Sequence, residues 1–194
     1  MKIGIFGGSF DPIHIGHLIV AQTSIEKCGL DKVVFVPAKV SPFKVDRKSF
    51  FSDFDRLEMV RLAVEDNPKF EVSDFEISSN GISYTYITVE YFSEVYSGSD
   101  LFLIVGGDSF ETFHKWKNYK KILDKVMLIV YPRGDLVFPR ELESYRDKVL
   151  LLEVPKIGIS STEIRNRLEK GEEIRYFLPC KVYDYILRKG ILKV

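Results

Sequence analysis

Apolar residues along this chain fall into two alternating periods. Continuous β-rich runs of strand length occur at "KIGIFGG" (2–8), "KVVFVP" (32–37), "DLFLIVGG" (100–107), "VMLIVY" (126–131) and "KVLLLEVP" (148–155). "FEVSDFEI" (70–77) alternates apolar and polar positions and predicts a further strand. Between these runs the period changes. Leu18, Ala21, Ile25 and Cys28 follow helical spacing and stop at Gly29. Leu57, Val60 and Val64 form a second stripe, with Ser52 as N-cap and Asn67-Pro68 as the stop. "SYTYITVEYFSEVY" (83–96) is aromatic and β-branched, yet its length favours a helix. Two more helices are expected near the end. "SSTEIRNRLEKG" carries a capping-box signature, Ser160 to Glu163, and ends at Gly171. "LPCKVYDYILRKG" has Pro179 near its start and Gly190 past its end.

Strands alternating with helices predict an α/β fold: a doubly wound, mostly parallel sheet with a small C-terminal helical portion. No repeat, linker or low-complexity tract interrupts the 194 residues, so residues 1–194 are read as one domain. Ligands of such sheets bind at the carboxyl ends of the strands. Those ends carry "GGSFDP", "PAKVSPFK", "GGDSF", "YPRG" and "PKIGISST", and a single cleft is expected to collect them.

Composition narrows the choice of partner. Lys and Arg total 28 against 28 Asp and Glu, a formal net charge of zero, without the basic excess that nucleic-acid or membrane surfaces usually need. Neither is expected as a partner. The two cysteines, Cys28 and Cys180, show no metal or CxxC spacing and read as thiols of a reducing compartment. The apolar run at the N-terminus is too short for a secretory signal, and no apolar stretch is long enough for a membrane span. A cytoplasmic protein is expected. The sequence leaves a homo-oligomer open.

Only three histidines occur, and two of them, His14 and His17, flank Gly16 just after the first strand. Gly7 and Gly8 let the backbone approach a ligand there and deliver Ser9 and Phe10 to the cleft. The start of the following helix favours a phosphate, and two imidazoles three residues apart can donate to its oxygens. Gly16 is expected to leave room for a flat base. A lone histidine is more often structural, and H-x-x-H alone is a weak metal signal. The whole string "GSFDPIHIGH" is far more specific.

That string resembles the nucleotidyltransferases that share the H-x-G-H signature with class I aminoacyl-tRNA synthetases. Their second phosphate motif has a counterpart in "ISSTEIR" (159–165), where Ser160, Ser161 and Thr162 cap a helix and Arg165 adds a fork of donors. Within that group the chain is similar over nearly its whole length to the nicotinate-nucleotide adenylyltransferases. "GGSFDPIHIGHL", "NGISYT" (80–85), "IVGGDSFETFHKWKNYKKI" and the stretch from "ISSTEIR" onwards carry the likeness. The chain departs from that family twice. Ser41-Pro42-Phe43-Lys44 replaces P-P-H-K, losing a histidine but keeping Lys44, and Pro132-Arg133-Gly134 replaces R-P-G.

The resemblance implies a Rossmann-like nucleotidyltransferase fold and adenylyl transfer from ATP to nicotinate mononucleotide, a step of NAD biosynthesis. An amide mononucleotide or phosphopantetheine as acceptor, or a silent nucleotide-binding regulator, are the alternatives. Catalysis would rest on His14, His17, Lys44 and Arg165. ATP would meet Gly7, Gly8, Ser9, Phe10, Gly16, Gly106, Asp108, Ser160, Ser161 and Thr162 besides those. The mononucleotide would meet Ser9, Lys44, Tyr84, Thr85, Gly107, Asp108, Trp116 and Arg133. Trp116, the only tryptophan, would stack on the pyridine ring, and neutral donors would choose the acid. Asp108 would hold a ribose hydroxyl, with an N-cap for a helix starting near Ser109 as its simpler role. Thr85 would place the carboxylate, with helix capping as its simpler role. Mg²⁺ would be bound through the ATP phosphates, and no protein metal site is expected.

Overall fold

In the computed structural model, residues 1–42, 48–132, 134–155 and 157–191 are described. Six strands form one parallel sheet: β1 (Lys2–Gly8), β2 (Lys32–Pro37), β3 (Phe70–Val72), β4 (Asp100–Gly106), β5 (Val126–Tyr131) and β6 (Val149–Leu151). Their spatial order is β3-β2-β1-β4-β5-β6, so the order reverses beside β1 and opens a crevice at its carboxyl end. The expected doubly wound sheet is present, and it is parallel throughout.

The pleat of the strands builds the two faces. Phe6, Phe35, Phe102, Ile104 and Ile129 point to one side. They pack there with residues of α1 (Ile15–Cys28), α2 (Asp53–Val64) and, further along the chain, of 161–170 and 180–188. Ile3, Ile5, Val34, Leu103 and Leu128 point to the other side. That face is covered by residues of α4 (Thr85–Val95), which follows the single-turn α3 (Phe75–Ser78), and of α5 (Gly107–Glu111) and α6 (Tyr119–Lys125). The last two helices are α7 (Ser161–Lys170) and α8 (Cys180–Arg188). Burial of both faces accounts for the continuous apolar character of the central strands.

The helix ends follow the sequence signals. Ser52 accepts from Asp55 N at 3.1 Å, and Ser160 accepts from Glu163 N at 3.1 Å. Gly29 (φ 64°) and Gly171 (φ 71°) close α1 and α7 in the left-handed conformation. One expectation fails. "FEVSDFEI" is a strand only over Phe70–Val72, and Phe75–Ser78 turns into α3. Its alternation breaks at Ser73-Asp74, where the chain leaves the sheet edge. Among the described residues no helix is long and apolar enough to cross a membrane.

Candidate active site

The site begins where β1 ends. Phe10 takes a left-handed backbone (φ 44°) and folds its ring under Gly8, where a Cβ would lie 3.2 Å from that ring. Asp11 is buried, and its carboxylate accepts from Phe50 N at 3.0 Å and Phe51 N at 2.9 Å. These bonds tie the turn after β1 to the approach to α2.

His14 is the N-cap of α1 and His17 its third helical residue, so both imidazoles sit on the first turn. Their rings lie 3.7 Å apart, tilted by 31°. The His14 N–H donates to Nδ1 of His17 at 3.2 Å. With Nδ1 accepting, the ring proton of His17 belongs on Nε2. Phe10 packs its ring edge-on against His17 at 5.0 Å and limits how far the imidazole can turn. At Gly16 a Cβ would come within 3.0 Å of Nδ1 of His14. The tight neighbour at that glycine is thus the histidine ring itself, a nearer constraint than the expected flat base.

The second motif docks directly on the first. Arg165, in α7, donates through Nη1 to the Asp11 carbonyl at 2.8 Å and through Nη2 to Thr162 Oγ1 at 3.1 Å. Ser161 Oγ donates to the Pro12 carbonyl at 2.9 Å. Ser161 and Arg165 therefore buttress the histidine loop, while Thr162 steadies Arg165 and Ser160 caps α7.

Three cavities run in series along the carboxyl ends of the strands. The first, about 420 Å³ including space open to solvent, is lined by His14, Gly16 and His17 and by the apolar Val154, Pro155, Ile157 and Ile159. The second, about 680 Å³ on the same measure, shares His17 and Tyr131 with it and adds Gly7, Gly8, Phe10, Gly106, Gly107 and Asp108. The third, about 1760 Å³, shares Gly7, Gly8, Asp108 and Trp116 with the second and extends to Ser9, Tyr84, Thr85, Lys115 and Lys117. His17 thus stands between the apolar end and the rest, and Trp116 between the second and third cavities.

Two simpler roles considered for these residues are not realised. Helix α5 starts at Gly107 with Gly106 at the cap, so Asp108 lies in the first turn, exposed, and is not the N-cap. Helix α4 is capped by Tyr84, and Thr85 is its first helical residue, free to face the cavity it lines. Trp116 is half-buried with its ring 4.9 Å from Phe113. Phe43, Lys44 and Arg133 lie outside the described residues.

Sequence reasoning missed Arg56 and Asp11. Arg56 has no exposed surface, and donates to the Ser9 carbonyl at 2.6 Å, the Lys39 carbonyl at 3.4 Å and Asp53 Oδ1 at 2.7 Å. It fastens the turns after β1 and β2 to α2. The available signal was its place four residues before Val60, on the apolar stripe. Lys115 and Lys117 were missed too. They bring positive charge to a cavity expected to choose its ligand by neutral donors, and Lys117 Nζ lies 4.3 Å from the Tyr84 ring centre.

Known proteins resemble this chain in sequence and in fold. The cytidylyltransferase-like family model matches residues 5–167. A probable nicotinate-nucleotide adenylyltransferase of Caldicellulosiruptor bescii is 43% identical over 199 residues, covering all of both chains. One of Clostridium tetani is 38% identical over 200 residues, covering 99% of each. Among solved structures, a Plasmodium falciparum nicotinic acid mononucleotide adenylyltransferase complexed with NaAD superposes with a TM-score of 0.80. It is 22% identical, with 97% of this chain and 96% of that one covered, and bears on the fold. From full-length identity at this level, the chain belongs to the cytidylyltransferase-like family and, within it, to the nicotinate-nucleotide adenylyltransferases.

Proposed function

We propose that this protein transfers the adenylyl group of ATP to nicotinate mononucleotide, giving nicotinate adenine dinucleotide and pyrophosphate. The observation that carries the reading is the position of His17, which lines both the apolar first cavity and the second cavity that leads to Trp116. The adenosine part of ATP fits the first cavity and the mononucleotide the third. Their phosphates then meet beside His17 and the N-terminus of α1. The names of the full-length relatives support the same chemistry.

In the reaction an oxygen of the mononucleotide phosphate attacks the α-phosphorus of ATP. A new P–O–P link forms, the bond from the α-phosphorus to the bridging oxygen breaks, and pyrophosphate leaves. The attacking phosphate is already ionised at neutral pH, so no general base is required. The work of the site is alignment and charge stabilisation. Nε2 of His17 donates to the α-phosphate as charge builds there. His14, stacked on it, supplies the second imidazole. Lys44 and Arg165 are assigned to the outgoing phosphates, and Asp108 and Trp116 to ribose and pyridine. ATP enters with Mg²⁺ on its phosphates, the ion being part of the substrate. Among the described residues no cluster of three or more His, Cys, Asp or Glu side chains is arranged to hold a metal ion. The same reading puts the protein in the cytoplasm, in keeping with free thiols at Cys28 and Cys180.

The test offers MgATP in parallel with nicotinate mononucleotide, nicotinamide mononucleotide and phosphopantetheine, and measures pyrophosphate and the coupled product. Rapid transfer to nicotinate mononucleotide is expected. Transfer to another acceptor with none to this one overturns the assignment.

A further inference from the structure

Glu76 is buried, 8% exposed, in the wall of the third cavity. A carboxylate out of water is costly unless donors or cations answer it. Here the answer comes from neutral hydroxyls. Thr88 Oγ1 donates to Glu76 Oε1, and the nearby Ser83 hydroxyl also favours the charged carboxylate. Burial pushes the Glu76 carboxyl above its usual range, and these two hydroxyls only partly oppose it. Among the described residues it has no ion-pair partner. A fold that needed only to fill this space could have used an apolar side chain at no such cost.

The two hydroxyls belong to the segment that forms the cavity's rim. Ser83 precedes Tyr84 and Thr85, and Thr88 lies one turn into α4. Ser83 is gripped from its other side by the turn after β2. Lys39 N donates to Ser83 Oγ at 3.0 Å, Ser83 N donates to the Val40 carbonyl at 2.9 Å, and Lys39 Nζ donates to the Ser79 carbonyl at 2.7 Å. The carbonyl of that same Lys39 accepts from Arg56, which also holds the Ser9 carbonyl. Hydrogen bonds therefore run from Ser83, beside Glu76, to the loop at the end of β1.

We propose that Glu76 is a positioning residue for the mononucleotide. By bonding Thr88, with the Ser83 hydroxyl beside it, it holds the first turn of α4, with Tyr84 and Thr85, in register with the loop at Ser9. The mononucleotide bridges these two places, whereas ATP touches only one of them. Loosening the clamp therefore weakens one substrate selectively. This rests on the assignment of the third cavity given under Proposed function.

The test compares wild type with Glu76→Gln and Ser83→Ala, using whichever acceptor the wild type uses best. For Glu76→Gln the acceptor KM is expected to rise about tenfold, the equivalent of one hydrogen bond, with the ATP KM and kcat within about twofold. Ser83→Ala shifts the same constant in the same direction by less. Melting temperatures are recorded alongside, because a merely structural role lowers them without splitting the two KM values. If both KM values move together, or neither moves, Glu76 serves stability alone and the proposal is wrong. Failure of the wild type on nicotinate mononucleotide is a separate result and counts against the function, since the split is read with the acceptor actually used. Should the Gln variant not fold, Ser83→Ala carries the decision by the same criterion.

Discussion

Nη1 of Arg165 lies 2.8 Å from the carbonyl oxygen of Asp11, joining residues 154 positions apart. The H-I-G-H and ISSTEIR motifs are therefore one unit, assembled by α7 lying against the histidine loop. Asp11 serves both directions. Its carbonyl receives Arg165, while its carboxylate holds the backbone of Phe50 and Phe51.

The first prediction concerns that fork. Arg165→Lys keeps the charge, but one ammonium cannot reproduce planar donation to Asp11 and Thr162 while also meeting phosphate oxygens. A higher ATP KM and slower turnover are expected. Steady-state kinetics with ATP varied checks this. A kinetically silent variant shows that α7 contributes only its helix cap and its docking.

The second concerns His17. With Nδ1 engaged by the His14 N–H, the other ring nitrogen is the one assigned to the reacting phosphate. His17→Ala is expected to lower kcat by roughly 10²–10³, the usual loss for one donor acting on developing charge. Mononucleotide binding, measured by calorimetry, is expected to change little. A turnover within a few-fold of wild type removes His17 from the chemistry.

Much of this site was legible because its first motif is local. Strand, Gly-Gly turn, histidine cap and helix follow one another within residues 2–28, and short-range sterics and capping decide such a run. The central strands were legible for a different reason, as burial on both faces leaves little but apolar residues. Arg56 was not. A charged residue is assigned to the surface by default, and only the tertiary approach of Ser9, Lys39 and Asp53 makes its burial tolerable. Helix α6 escaped because it buries only Ile122 and Leu123 among lysines, too few apolar positions to reveal a period. Glu76 was misplaced with the strand it follows. Its partner Thr88 lies 12 residues on, beyond the reach of any alternation pattern.

The third prediction is a pH effect at the α2–α8 contact. Burial tends to raise the Asp55 carboxyl, but bonds from Lys189, Ser52 and Tyr185 outweigh it and hold the group at about 2. Lys189 Nζ lies 2.7 Å from Asp55 Oδ1, and the Tyr185 hydroxyl donates to it at 2.6 Å. A carboxyl depressed in the folded state stabilises fully above its unfolded value, about 3.9, and loses this as pH falls through the folded value. Asp55→Asn is therefore expected to lower the melting temperature at neutral pH. The gap to wild type should close between about pH 4 and pH 2. Comparing the two proteins cancels the parallel depression of Glu143 and Glu173. A gap that persists unchanged below pH 2 shows that the carboxylate is not its source.

The last prediction is the choice between acid and amide. Nicotinate and nicotinamide mononucleotides differ only in a carboxylate against a carboxamide, so selection needs donors or positive charge at that end of the cavity. The third cavity offers both. Thr85 stands at the start of α4, an 11-residue helix whose N-terminal N–H groups favour an anion. Lys115 and Lys117 line the same cavity, with the Lys117 ammonium held over the Tyr84 ring beside Thr85. An amide NH₂ turned towards such donors leaves groups unpaired, at roughly 1–3 kcal/mol for each one that is buried. Lys117 is exposed, so its own share is screened and smaller. A strong preference for the acid in kcat/KM is expected. Trp116, between the second and third cavities, is the side chain assigned to the pyridine ring. Trp116→Ala is therefore expected to weaken mononucleotide binding while leaving ATP binding largely intact, because the apolar first cavity does not include Trp116. Calorimetric titration of each substrate into the variant separates the two. Equal efficiency on both mononucleotides, or equal loss of both substrates in Trp116→Ala, removes the pyridine from the third cavity even where adenylyl transfer itself is observed.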